Sequence, residues 1–136
     1  MNFKITKIQH IGIPVTNLEK SVAFYKNLGF NQAMKSQFDH NDEKGNVVMM
    51  QSGDVIMELY EFPAKDLGEI RDRKHGHIDH IAFDVEDVEA IYKELKALGY
   101  SIQEDAPVFL PFWDNGCKYF NITGPDGERL EFNQIL

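Results

Sequence analysis

Hydrophobic and polar residues alternate from Lys7 to Val15. Ile11, Ile13 and Val15 fall on one face of a strand, and Ile8, His10, Gly12 and Pro14 on the other. After Thr16–Asn17 the period changes. Leu18, Val22, Tyr25 and Leu28 form an apolar stripe at helical spacing, and Gly29 is a natural stop. Glu19 lies three residues after Thr16, the spacing of a capping box with Thr16 as the N-cap. Strands are then predicted over Phe30–His40, Asn46–Gln51 and Val55–Glu61, with turns at Asn41–Gly45 and Ser52-Gly53-Asp54. Phe62–Gly76, with Pro63, Gly68 and a dense charge cluster, reads as a connector holding one helical turn. The same order of elements then returns. A strand over Ile78–Val85 leads to a helix over Glu86–Leu98, with Val88, Ile91, Leu95 and Leu98 on one face and Gly99 as its stop. A strand begins at Ser101–Gln103, Asp105–Asn115 is loop-rich, and strands over Cys117–Ile122 and Glu128–Gln134 flank the turn Gly124-Pro125-Asp126-Gly127.

The return is a repeat. Gln9–Phe30 shifted by seventy residues lies without a gap on Asp79–Tyr100. His10, Ile11, Val15, Glu19, Lys26, Leu28 and Gly29 then meet His80, Ile81, Val85, Glu89, Lys96, Leu98 and Gly99. At the ends of the halves the offset is slightly larger, and Glu58 meets Glu131. Each half is a βαβββ module. The fold class is therefore α+β: one domain over 1–136, with module 1 over about 5–61, a connector over 62–76 and module 2 over about 77–136. The sheets are expected edge to edge, both helices covering one face and the other face curling into a cup.

The chain has 136 residues, enough for a core. Its net charge of −8 opposes binding to phosphate backbones or anionic lipid, so neither nucleic acid nor membrane is expected as a partner. No apolar run reaches bilayer length, and the N-terminus lacks the apolar core of a signal peptide. With one cysteine, Cys117, no internal disulfide can form, and a cytoplasmic location is the expectation. A strand thiol of this kind reads first as structural and only second as a nucleophile.

Strand alternation also sorts the polar residues. His10 faces away from Ile11, Ile13 and Val15, and His80 away from Ile81, Phe83 and Val85. Glu58 faces away from Met57 and Leu59, and Glu131 away from Leu130 and Phe132. If the apolar sets cover the helices, His10, Glu58, His80 and Glu131 share the opposite face. Two imidazoles and two carboxylates brought together there need a neutralising charge. A divalent cation (Zn, Ni, Co, Mn or Fe) suits these donors. Arg129 and Asn133 share the face of Glu131, Tyr60 shares that of Glu58, and Asn121 is a candidate for the same wall, so these four are candidate substrate-binding residues. Arg129 is equally a candidate for a surface ion pair. Phe109, Phe112 and Trp113 read as a lid over the substrate or as core plugs. His40, His75 and His77 have no repeat partner and read as surface or rim residues.

The modules carrying HIGI, IMELYE, DHIAFDV and GPDGERLEF resemble the vicinal oxygen chelate superfamily, which includes glyoxalase I, methylmalonyl-CoA epimerase, extradiol dioxygenases, fosfomycin-resistance transferases and bleomycin-resistance proteins. The resemblance covers nearly the whole chain. It implies one divalent metal ion per site on His10, Glu58, His80 and Glu131, a small-molecule substrate and a homodimer. It also implies isomerase, epimerase or lyase chemistry through an enediolate, with Glu131 as first choice for the base and Glu58 as second. Two family features are missing. Where bacterial glyoxalase I has an Arg and an Asn for glutathione, this chain has Pro14 and Glu61–Phe62. The strand in which methylmalonyl-CoA epimerase carries a further catalytic carboxylate is apolar here, Asn46–Gln51. The alternatives within the resemblance are a metal-dependent dioxygenase, a thiol transferase and a non-catalytic small-molecule-binding protein.

Overall fold

The computed structural model describes residues 2–73, 78–123 and 129–136. His75 and His77, the turn at 124–127 and the start of the last expected strand lie outside the described residues. The strands are β1 (Lys7–Pro14), β2 (Asn31–His40), β3 (Glu43–Ser52), β4 (Val55–Glu61), β5 (His80–Asp84), β6 (Val108–Leu110), β7 (Cys117–Thr123) and β8 (Arg129–Ile135). The helices are α1 (Leu18–Asn27), α2 (Leu67–Asp72) and α3 (Val88–Ala97), with a 3-10 turn over Ala64–Asp66. The architecture is α+β with the βαβββ order twice over, as the repeat predicts. The chain divides into two compact units, His10–Asp79 and Met1–Gln9 with His80–Leu136. None of the described helices is long and apolar enough to cross a membrane.

In the first unit the strands run in the order β2-β3-β4-β1. β1 pairs with β4 in parallel, and the other neighbours are antiparallel. Val48, Met50 and Leu59 form its core with Ile13, Val15, Leu18, Val22, Tyr25, Phe30 and Met57 around them, so the alternating apolar positions do meet the helical stripe. Three details differ from the sequence reading. The N-cap is Asn17, whose side chain accepts from Lys20 N–H at 3.0 Å, rather than Thr16. Leu28 is the C-cap, beyond the last helical residue, and is exposed rather than part of the stripe. The β2–β3 connection is two residues, with Asn41 at φ 48° and Asp42 at φ 64°, which starts β3 at Glu43. Two successive positive φ angles give the backbone twist that matches antiparallel strands, so a longer loop is unnecessary.

In the second unit the order is β5-β8-β7-β6, with β5 and β8 parallel. α3, capped by Asp87 at Ala90 N–H, buries Val88, Ile91, Tyr92 and Leu95 against Phe120, Ile122 and Phe132. The rings of Phe120 and Phe132 stack at 5.2 Å. Leu98 caps the helix and is exposed, as Leu28 is in the first copy. The strand expected at Ser101–Gln103 is reduced to a bridge between Ile102 and Ile122, and the second strand of the module is instead β6, inside the stretch read as loop. Phe112 is buried in this stretch and Phe109 is exposed. The connector is more ordered than one turn, because Leu67 and Ile70 on α2 are buried.

Gly45 is closely enclosed. A Cβ there would run into the edge of the Phe38 ring, with Cε1 at 2.7 Å, and would sit 2.8 Å from the Glu61 carbonyl oxygen. Gly45→Ala is expected to lower stability by about 1–3 kcal/mol, the usual cost of overpacking. Urea unfolding followed by far-UV dichroism measures it; an unchanged midpoint would show that the β2–β3–β4 strands give way freely there.

Candidate functional site

Each unit carries one His–Glu pair, built the same way, with His10, His80 and Glu131 buried and Glu58 half-buried. In the first, β1 and β4 run parallel with Gly12 opposite Glu58. His10 is two residues before Gly12 and so on the same face, and the glycine leaves the space between imidazole and carboxylate clear. His10 Nε2 stands 3.6 Å from Glu58 Oε2, with the imidazole 1% exposed. In the second, β5 and β8 run parallel with Ala82 opposite Glu131, and Ala82 is fully buried. His80 Nε2 stands 3.4 Å from Glu131 Oε2. The small residue two places after each His was not recognised in the sequence as part of the site. Its signal was the Gly12–Ala82 match within the repeat.

Both separations are long for a hydrogen bond. Two ligand atoms each about 2.1 Å from one ion and subtending about 110–120° stand about 3.4–3.6 Å apart. Each pair is thus spaced as two ligands of a common ion, and imidazole nitrogen with carboxylate oxygen is a fitting donor set.

The neighbours of the two pairs differ. Asn133 donates through Nδ2 to Glu131 Oε1 at 2.7 Å, and its Oδ1 accepts from Gln9 Nε2 at 3.0 Å. Gln9, 1% exposed, also donates to Asp84 Oδ1 at 3.3 Å, and Asp84 Oδ2 takes the Thr6 hydroxyl at 2.6 Å. This row fixes one oxygen of Glu131 and leaves the other towards His80. Sequence periodicity gave no role to Gln9, because its partners lie on β5 and β8, far along the chain. Cys117 is buried, with Asn133 Nδ2 3.9 Å from its sulfur. Arg129 Nη2 lies 3.1 Å from His80 Nδ1. A guanidinium only donates, so Nδ1 is the acceptor and the ring proton sits on Nε2, towards Glu131.

Tyr60 is buried within an aromatic group, its ring 6.0 Å from Phe38 and 5.4 Å from Phe62, with His40 against Phe62 at 4.3 Å. Asn121 lies across the ladder from Glu131 and is clamped by Glu104, a residue to which the sequence reading gave no role. Trp113 adopts φ 63°, rare for a bulky residue, and its buried Nε1 has no hydrogen-bond partner among the described residues.

Residues 7–132 match the model of the Glyoxalase/Bleomycin resistance protein/Dioxygenase superfamily. The chain is 33% identical over 99 residues to human mitochondrial methylmalonyl-CoA epimerase, covering 69% of this chain and 54% of that protein. It is 28% identical over 136 residues to a probable trivalent organoarsenical cleaving enzyme of Bacillus subtilis, covering 93% and 78% of the two chains. Among solved structures, methylmalonyl-CoA epimerase from Mycobacterium tuberculosis superimposes with a TM-score of 0.79 at 17% identity, covering 100% of this chain and 92% of the other. That likeness establishes a shared fold.

Replacing Gln9 by Leu removes the donor to buried Asn133 Oδ1 and to an oxygen of half-buried Asp84. A loss of about 1–3 kcal/mol is expected, the cost of buried polar atoms left without partners. Thermal and urea unfolding test it; wild-type stability in Gln9→Leu would mean that the row is not a support for Glu131.

Proposed function

The chain belongs to the Glyoxalase/Bleomycin resistance protein/Dioxygenase superfamily, and from that premise we propose a divalent-metal-dependent isomerase or epimerase that acts on a small carbonyl or hydroxycarbonyl compound. The observation that carries this reading is the duplicated His–Glu pair, each spaced as two ligands of an ion, with both imidazoles buried. On this reading His10, Glu58, His80 and Glu131 hold one ion together; His10, Glu58 and His80 each offer one ligand atom of suitable type. When bound, the ion supplies Lewis-acid stabilisation for negative charge on adjacent substrate oxygens. The epimerase relatives favour proton transfer over oxygenation.

The chain's own residues supply the rest. Glu131 is the first candidate to take the proton α to the carbonyl: Asn133 holds Oε1, so Oε2 is the oxygen that would be released from ligation to act as the base. Glu58 is the second candidate. Were His80 to hold the ion through Nε2, its ring proton would sit on Nδ1 facing Arg129 Nη2, and the guanidinium would be left to a carboxylate on the substrate. Burial of His80 and Glu131 keeps competing water from the proposed base.

Calorimetric titration of chelator-treated protein with Ni, Co or Zn is expected to give one ion per chain. Replacing His10 by Ala should weaken binding at least about tenfold, since one of four donors is lost. Titrations without stoichiometric binding would overturn the reading. Glu131→Gln should slow solvent deuterium uptake by a turned-over carbonyl compound by about 10²–10⁴-fold while leaving the dichroism spectrum unchanged. Undiminished uptake would move the base to another residue.

A further inference from the structure

Resting on the reading above, Glu131 lies at the reacting centre, and the residue opposite it across the β7–β8 ladder is Asn121. Asn121 is 3% exposed, and its Oδ1 has no hydrogen-bond partner among the described residues. Every other polar group of the residue is engaged, and on one side. The backbone N–H donates to Glu104 Oε2 at 2.6 Å, the side-chain Nδ2 donates to Glu104 Oε1 at 2.7 Å, and the backbone carbonyl accepts from Gln103 N–H at 2.9 Å. All three contacts come from Gln103 and Glu104, along the edge of β7 away from β8. The Asn121–Glu131 pair therefore lacks mutual backbone hydrogen bonds, the pair type in which opposed side chains come closest.

With Nδ2 tied to Glu104, the planar amide turns Oδ1 away from that carboxylate. Rotating the amide by half a turn would set Oδ1 against Glu104 Oε1, two acceptors together, so the orientation is fixed. Glu104 is itself held from the core: the hydroxyl of buried Tyr92 on α3 donates to its backbone carbonyl at 3.0 Å. The result is a buried acceptor next to a buried carboxylate, an arrangement that calls for a donor from a ligand. The first module has no counterpart, since the residue paired with Glu58 is Met49, 1% exposed.

We propose that Asn121 Oδ1 accepts the hydroxyl proton of the substrate and that Glu104 is the positioning residue that aims it. The site then takes hydroxycarbonyl compounds in preference to analogues whose hydroxyl is absent or capped.

Glycolate and methoxyacetate offer the same oxygens, with a methyl group in place of the hydroxyl proton in the second. Their binding to the cobalt(II)-loaded protein is read from the visible absorption of the ion. The wild type is expected to bind glycolate about tenfold more tightly, and Asn121→Leu to bind the two alike. Glu104→Gln must still offer an oxygen to the Asn121 N–H, which leaves its NH2 facing the amide. Oδ1 is drawn round to it, Nδ2 faces the site, and the preference for glycolate disappears or inverts; this variant carries the test if Asn121→Leu does not fold. Equal binding by the wild type, or a preference kept in either variant, overturns the proposal. A protein that takes up no cobalt overturns the metal reading and this proposal together, whereas cobalt uptake with the preference kept in the variants overturns this proposal alone.

Discussion

An imidazole and a carboxylate buried side by side have lost their water, and the surrounding strands are arranged around that fact. His10 and His80 are almost wholly inside, each with an acidic oxygen at a distance too long for a good hydrogen bond. Taking such groups out of water is costly unless an opposite charge or a set of donors replaces the lost hydration. The parallel strand pairing brings each His next to its Glu, and a residue without bulk, Gly12 or Ala82, keeps the gap open. The helix on the far face takes the alternate, apolar positions of the same strands. One strand thus serves two environments, and the period of two is what separates them.

Duplication produced equal backbones with unequal surroundings. At the position two residues after the carboxylate, one module has Tyr60 in an aromatic group and the other has Asn133 holding Glu131. At the position across the ladder, one has Met49 and the other Asn121. The first unit lines its carboxylate with apolar bulk, and the second lines it with oriented amides. An aromatic and thioether wall offers dispersion and no direction, whereas an amide held through its NH2, as Asn121 is by Glu104, offers one acceptor in one direction. Discrimination between related small molecules is stronger where a site leaves a buried polar atom to be matched.

The departures from the glyoxalase I pattern have structural explanations. Glu61 uses Oε2 to accept the Leu18 N–H at 2.7 Å, which places a carboxylate at the start of α1, where helix amides need acceptors and the dipole favours negative charge. Phe62 lies in the aromatic group with Tyr60 and His40. Pro14 is the buried end of β1. The positions that resemblance to glyoxalase I would give to glutathione are occupied here by a helix cap and by packing.

Local pattern determined a good deal of this protein by itself. Alternation and helical period located nearly every element, the self-match gave the βαβββ order twice, and period-two bookkeeping put each His with a Glu on the face away from its helix. These features depend on residues a few positions apart, so a linear reading can reach them. Capping and turn geometry came out one or a few residues away, at Asn17 and at Asn41–Asp42, because neighbouring residues offered similar local chemistry and only the folded backbone chose between them. Periodicity misplaces the second strand of the second module, since Ser101–Gln103 and Val108–Leu110 meet different stretches of the same edge of β7 and only the pairing of the latter with Cys117–Tyr119 makes a ladder. Tertiary structure alone decided which side chains support the carboxylates. Gln9 reaches Asn133 across 124 residues of chain and Glu104 reaches Asn121 across 17. Hydrogen bonds between such distant residues leave no periodic mark, because their geometry exists only once the strands are in register.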